Sequence, residues 1–169
     1  LIYGASGGVG TFAVQIAKSF GAEVTGVCST RNVEILRSIG ADHIIDYTEE
    51  HLAQHKKRYD LVLGVNGSNS ISTYKRVLKL NGKFVHVGGS ESQLYQTLFL
   101  GPFISLTGSR KISSLLQRAN QKDLNDVKEL LEIGKVKPII DKRFKLSEIT
   151  EAFKYFQEGH AQGKVVITL

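Results

Sequence analysis

Apolar and polar positions along this chain fall into blocks that switch between the strand and helix periods. Residues 2–4 end an apolar run that leads straight into a glycine-dense turn, and Val9, Ala13, Ile16, Ala17 and Phe20 then share one helical face. Gly21 ends that helix. Residues 23–28 read as a second strand, 32–39 as a short helix closed by Gly40, and His43–Asp46 as a third strand. A charged, exposed helix is expected over 49–57, a fourth strand over 59–65, a helix over 70–80 and a fifth strand over 83–87. The apolar run from Phe103 to Thr107 predicts a sixth strand at the sheet edge. Leu124, Val127, Leu130 and Leu131 make residues 122–133 a strongly amphipathic helix, closed by Gly134. Beyond Gly134 the alternation breaks into a strand (138–144), a helix capped by Ser147 (147–157) and a strand (164–169).

Regular alternation of strand and helix predicts an α/β fold: a doubly wound, Rossmann-type parallel sheet of about six strands, with a C-terminal β-α-β tail. The first strand opens at residue 1 with no methionine before it, so the chain reads as cut from something longer.

Composition narrows the function classes. At 169 residues, 41% hydrophobic and 22% charged, the chain has the makings of one soluble domain plus a smaller unit. It carries no signal peptide and no run long enough to span a bilayer, so no membrane partner is expected. One cysteine, Cys28, excludes an internal disulfide and a multi-cysteine zinc cluster within these residues, and suits a reducing cytoplasm. The net charge of +6 suits a phosphorylated cofactor or a polyanion. However, Lys56-Lys57-Arg58 and Lys142-Arg143-Lys145 lie apart and lack aromatic platforms, so a solvated surface is the better reading than nucleic-acid binding.

The chemistry concentrates in the loop Ala5-Ser6-Gly7-Gly8-Val9-Gly10. Strand, glycine turn and helix together make a dinucleotide cradle. Free N–H groups and the helix dipole favour the pyrophosphate, Gly7 lets the backbone approach it, and Gly10 lets helix and strand pack closely. Ala5 stands where the G-x-G-x-x-G pattern has its first glycine. After the second strand comes Ser29-Thr30-Arg31 in place of the acidic residue that an NAD site uses on the ribose. Hydroxyls and a guanidinium suit a 2′-phosphate, so NADP(H) is expected over NAD(H); a solvated Arg31 at a helix start is the plainer alternative. Gly88 and Gly89 lie at the carboxyl end of the fifth strand, on the nicotinamide side. His51 and His55 read as surface residues, His86 as a strand residue near the core, His160 as a loop residue and Cys28 as a small buried hydrophobe. No metal ligands are nominated.

No tyrosine is followed by lysine four positions on, which argues against short-chain dehydrogenase chemistry. A methyltransferase-like Rossmann domain would show an acidic residue after the second strand. Instead the chain resembles the medium-chain dehydrogenase/reductases, in their zeta-crystallin-like quinone oxidoreductase branch. Tyr3-Gly4-Ala5-Ser6-Gly7-Gly8-Val9-Gly10, Ala13-Val14-Gln15-Ile16-Ala17-Lys18, Gly40-Ala41-Asp42-His43-Ile44-Ile45-Asp46-Tyr47, Tyr59-Asp60-Leu61-Val62-Leu63, Leu80-Asn81-Gly82-Lys83 and Gly159-His160-Ala161-Gln162-Gly163-Lys164-Val165-Val166 carry the resemblance. It implies zinc-independent, NADPH-dependent reduction of quinones or other activated carbonyl and alkene compounds, or a related alcohol dehydrogenase-like activity. It places Ser29, Thr30, Arg31 and Tyr47 around the adenosine 2′-phosphate, Asn66 and Gly67 near the ribose, and Gly88 and Gly89 near the nicotinamide half. The sequence departs from the family pattern at Val33, Gly64 and Phe144-Lys145-Leu146.

The resemblance also implies a preceding catalytic domain, so residues 1–134 would be the cofactor domain and 135–169 a segment completing the other. No catalytic residue is nominated, because the cofactor carries the hydride chemistry, and the chain alone is expected to lack a complete active site. A small-molecule substrate and a homodimer through the Phe103 to Thr107 edge are the implied partners. The competing class is a non-catalytic nucleotide- or nucleic-acid-binding Rossmann module.

Overall fold

The first strand, β1 (Ile2–Tyr3), is two residues long, yet the sheet is built around it. It pairs in parallel with β2 (Thr25–Cys28) on one side and β4 (Tyr59–Gly67) on the other. β3 (His43–Asp46) adds outside β2; β5 (Leu78–Gly89) and β6 (Lys111–Ser114) add outside β4. The six strands therefore run β3-β2-β1-β4-β5-β6, every pair parallel. The chain travels outward from β1 to β3 and then restarts on the other side at β4. The order therefore reverses between β1 and β4, and the carboxyl ends of strands at such a switch point are where open α/β sheets bind ligands. This computed structural model describes every residue except Ser68, Ser90, Leu116 and Gln117, and leaves out the side chains of Gln93, Leu100, Phe103, Ile104 and Thr107.

Both faces of the sheet are covered. α1 (Gly10–Ser19) and α2 (Val33–Ser38) close one face, where Ile2, Ala5, Val14, Cys28, Leu36 and Val65 form a buried cluster. α3 (Ile71–Val77) closes the other with Val27, Ile45, Tyr74, Val77, Phe84 and Ile112. Tyr74 and Phe84 stack there with ring centroids 4.5 Å apart. Burying one such side chain stabilises the fold by about 1.5–3 kcal/mol. α1 ends as Gly21 predicted: at φ +75° its N–H reaches Lys18 O at 2.9 Å, and the Ala22 N–H reaches Ala17 O at 3.1 Å.

Four expectations about elements need correction. Ala13 and Ala17 pack against the buried cluster as expected, but they share that side of α1 with the buried Gly10 and Val14, whereas Val9 is 51% and Phe20 80% exposed. The helix turns its small residues to the sheet because β1 runs so close beneath it. Residues 49–57 form no long helix: the chain turns on Asp46 O and makes one 3-10 turn, Leu52–Gln54, where Leu52 is buried. The segment is too polar to give a helix an apolar stripe to bury. Phe103 to Thr107 is not a strand but the last part of α4 (Glu91–Thr107), and the sheet edge is β6 instead. A five-residue apolar run does not separate strand from helix by periodicity, and β6 carries a single buried apolar residue, Ile112, to announce itself. Ser147 does not cap a helix: it lies inside a 3-10 turn, Leu146–Glu148, held by the Lys145 N–H on Glu148 Oε2 at 2.8 Å.

The remainder follows α5 (Gln121–Glu132), whose N-terminus is capped by Asn120 accepting from the Asp123 N–H at 2.8 Å. Its apolar stripe is real, but none of its residues is buried; Leu124 is 63% exposed. β7 (Ile140–Lys145), α6 (Ile149–Gln157) and β8 (Lys164–Thr168) form the expected β-α-β tail, with β7 and β8 pairing in parallel as a separate sheet. Gln15 joins this tail to α1: its side chain donates to Lys137 O at 2.9 Å and accepts from the Lys137 N–H at 2.8 Å.

Candidate functional site

The loop from Ala5 to Gly10 closes over the carboxyl end of β1. A Cβ on Gly10 would lie 2.1 Å from Gly4 O and 2.6 Å from Ala5 Cα, both backbone atoms, so close helix–strand packing requires glycine there. Gly4, at φ +73°, is pressed on Val65 O in the same way. Gly7 differs: a Cβ there would meet only Gly4 O, at 3.6 Å, an ordinary contact. The protein's own packing does not require glycine at position 7; a ligand brought against the backbone would. Among the described residues, the N–H groups of Gly8 and Val9 have no acceptor, and they lie at the N-terminus of α1. That arrangement favours an anion.

Ser29, Thr30 and Arg31 follow β2 directly, with Thr30 and Arg31 in a 3-10 turn, Thr30–Asn32. Tyr47 follows β3, its N–H bonded to Cys28 O at 3.0 Å, and its ring stacks on Tyr3 with centroids 6.4 Å apart. These residues and the glycine loop therefore share one edge. Thr30 and Thr48 hydroxyls lie 2.8 Å apart, and hydrogen bonds from both threonines hold the Asp46 carboxyl below its usual range. Cys28 is buried, and desolvation pushes its thiol up to about 11. Asn66 adopts φ +50°, a left-handed conformation that asparagine tolerates better than most residues. Gly67 follows it, and Gly88 and Gly89 pair with Val65 and Gly67 across β4 and β5. All of the nominated residues thus sit at the carboxyl ends of β1, β2, β3, β4 and β5.

Sequence reasoning missed three participants. Asn32 is 7% exposed and donates to Ser6 Oγ at 2.9 Å and Ser29 Oγ at 3.2 Å, so one amide fixes two of the nominated hydroxyls. Gln162 donates to Asn32 Oδ1 at 2.7 Å. Lys164 brings its Nζ to 3.2 Å from the position a Gly8 Cβ would take. The tail residues are far away in sequence, and only the docking of β8 reveals them: the Gly163 N–H donates to Ser6 O at 3.0 Å.

Part of each basic cluster is engaged within the chain. Lys57 pairs with Glu23 at 2.7 Å, Arg58 donates to the carbonyls of His55 and Lys56, and Lys142 lies 3.8 Å over the Tyr155 ring. Among the described residues no three His, Cys, Asp or Glu side chains converge as a metal site, and no helix is long and apolar enough to cross a membrane.

The zinc-binding dehydrogenase family model matches residues 39–167. The mitochondrial NAD(P)H oxidoreductase RTN4IP1 of Mus musculus is 35% identical, the alignment covering 100% of this chain and 47% of that protein. The chloroplastic quinone-oxidoreductase QR1 of Triphysaria versicolor is 36% identical, over 99% of this chain and 51% of its own length. The solved quinone oxidoreductase from Coxiella burnetii superposes with a TM-score of 0.84 at 29% identity, again over 99% of this chain and 51% of that one. The chain spans about half the length of the relatives it matches. With most of its length matched by that model, the chain belongs to the zinc-binding dehydrogenase family.

Proposed function

We propose that these residues bind NADP(H) across the carboxyl edge of the sheet and serve as the cofactor half of an oxidoreductase. The single observation that carries the reading is the glycine loop. Gly10 is locked by packing, Gly7 is open to an incoming group, and the Gly8 and Val9 N–H groups stand free at a helix N-terminus. Gly7, Gly8, Val9 and Lys164 would hold the pyrophosphate; Ser29, Thr30, Arg31 and Tyr47 the adenosine end with its 2′-phosphate; Asn66 and Gly67 the ribose; and Gly88 and Gly89 the nicotinamide half. Bound there, the nicotinamide supplies the hydride. What the chain's own residues do is bind, orient and neutralise phosphate charge.

The names of the relatives support a nicotinamide cofactor, and the absence of an acidic residue at the end of β2 supports the phosphorylated form. Quinones, or other activated carbonyl and alkene compounds, are the proposed substrates of the whole enzyme, by zinc-independent chemistry. Dinucleotide binding without robust turnover is the activity these residues support alone. With Phe103 to Thr107 helical, pairing of two copies sheet to sheet would run through β6. Titration with NADPH and NADH at two salt concentrations, against an oligonucleotide competitor, tests the reading. Tighter NADPH binding that the oligonucleotide does not displace supports it, while displacement favours a nucleic-acid module.

A further inference from the structure

The tail crosses the cofactor edge at three points that have no role in the binding scheme above. Besides the Gly163–Ser6 and Gln162–Asn32 hydrogen bonds, Arg31 donates through Nη2 to His160 O at 3.2 Å. Residues 160–163 thus form a strap running alongside the 3-10 turn that carries Thr30 and Arg31. A guanidinium has five N–H donors in a rigid fork. One held by the His160 carbonyl leaves the others to a phosphate, and an exposed side chain is fixed in advance. Asn32 links the two: it receives Gln162 on one side and holds Ser6 and Ser29 on the other.

We propose that Gln162 is a positioning residue for cofactor choice: it anchors the strap whose His160 carbonyl orients Arg31 toward the 2′-phosphate. The inference rests on the NADP(H) reading above. A strap that merely stabilises the fold would affect both dinucleotides alike; a strap that orients Arg31 matters only where a 2′-phosphate is present. Gln162→Ala should weaken NADPH binding about tenfold, as expected for a misplaced charge-assisted contact, and NADH binding less than about twofold. Arg31→Ala should remove the preference, and adding Gln162→Ala to it should lower the NADPH/NADH ratio no further.

A second measurement uses the unmodified chain. The amide of Ala161 belongs to the same peptide unit as the His160 carbonyl, so its NMR shift should respond to NADPH and stay put with NADH, while the amides of Gly7 and Gly8 respond to both. Equal losses for both dinucleotides on Gln162→Ala, additivity in the double variant, or an Ala161 amide blind to NADPH would overturn the strap while leaving NADPH preference standing. NADH bound as tightly as NADPH by the unmodified chain would overturn the underlying reading itself.

Discussion

Gln162 and Asn32, 130 residues apart in sequence, meet at 2.7 Å at the rim of the glycine loop. Asn32 is buried and makes hydrogen bonds to Ser6 and Ser29 as well, so its side chain joins β1's loop, β2's end and the tail. Asn32→Ala leaves the Gln162 amide and both hydroxyls without this partner. It should lower unfolding free energy by about 1–3 kcal/mol, read as a shift in the urea midpoint, and weaken dinucleotide binding at the same time.

Gly7 and Gly10, three residues apart in the same loop, should behave in opposite ways. Gly10→Ala forces a Cβ against the backbone of Gly4 and Ala5, so it should cost about 1–3 kcal/mol of stability. Gly7→Ala meets only an ordinary contact at 3.6 Å, so stability should stay within about 0.5 kcal/mol. Dinucleotide affinity should nevertheless fall at least about tenfold, because the new methyl lies where the pyrophosphate approaches. Thermal denaturation with and without NADPH separates the two cases.

His86 gives the fold a pH dependence. It is 6% exposed on β5, its Nδ1 meets no partner among the described residues, and desolvation lowers its pKa from 6.5. The unfolded chain therefore takes up a proton at a pH where the folded one does not. The stability that His86 contributes is present above about pH 6.5 and lost as pH falls below it. Urea midpoints at pH 7.5 and 5.5 should differ, and His86→Gln should flatten the difference.

Cys28 should be silent in the native state. With its thiol pushed up to about 11 and its side chain buried beside Leu36 and Val65, little thiolate exists at pH 8 and access is closed. A thiol-reactive chromophore should label it only at the rate of unfolding, and denaturant should release the full single equivalent.

Much of this was legible in the sequence because the signals were local. The turn at Gly21, the third strand at His43–Asp46 and the amphipathic α5 closed by Gly134 each follow from a few adjacent residues, as does the glycine loop. What escaped depended on distant packing. The buried face of α1 is set by how near β1 passes, which requires Gly10 at the crossing, while Val9 and Phe20 cap the two ends of the helix and stay exposed. β6 has one buried apolar residue, and the apolar run before it is equally at home in a helix. Gln162 and Lys164 enter the site only because β8 docks beside the loop, which no local pattern encodes, and Asn32 enters through its side-chain bonds to Ser6 and Ser29.

The most direct test is calorimetric titration of the unmodified chain with NADPH and with NADH. Saturable one-to-one binding with NADPH at least about tenfold tighter, the worth of one charge-assisted pairing with the 2′-phosphate, is the predicted result. No saturable binding of either dinucleotide, or tighter binding of NADH, would contradict the account.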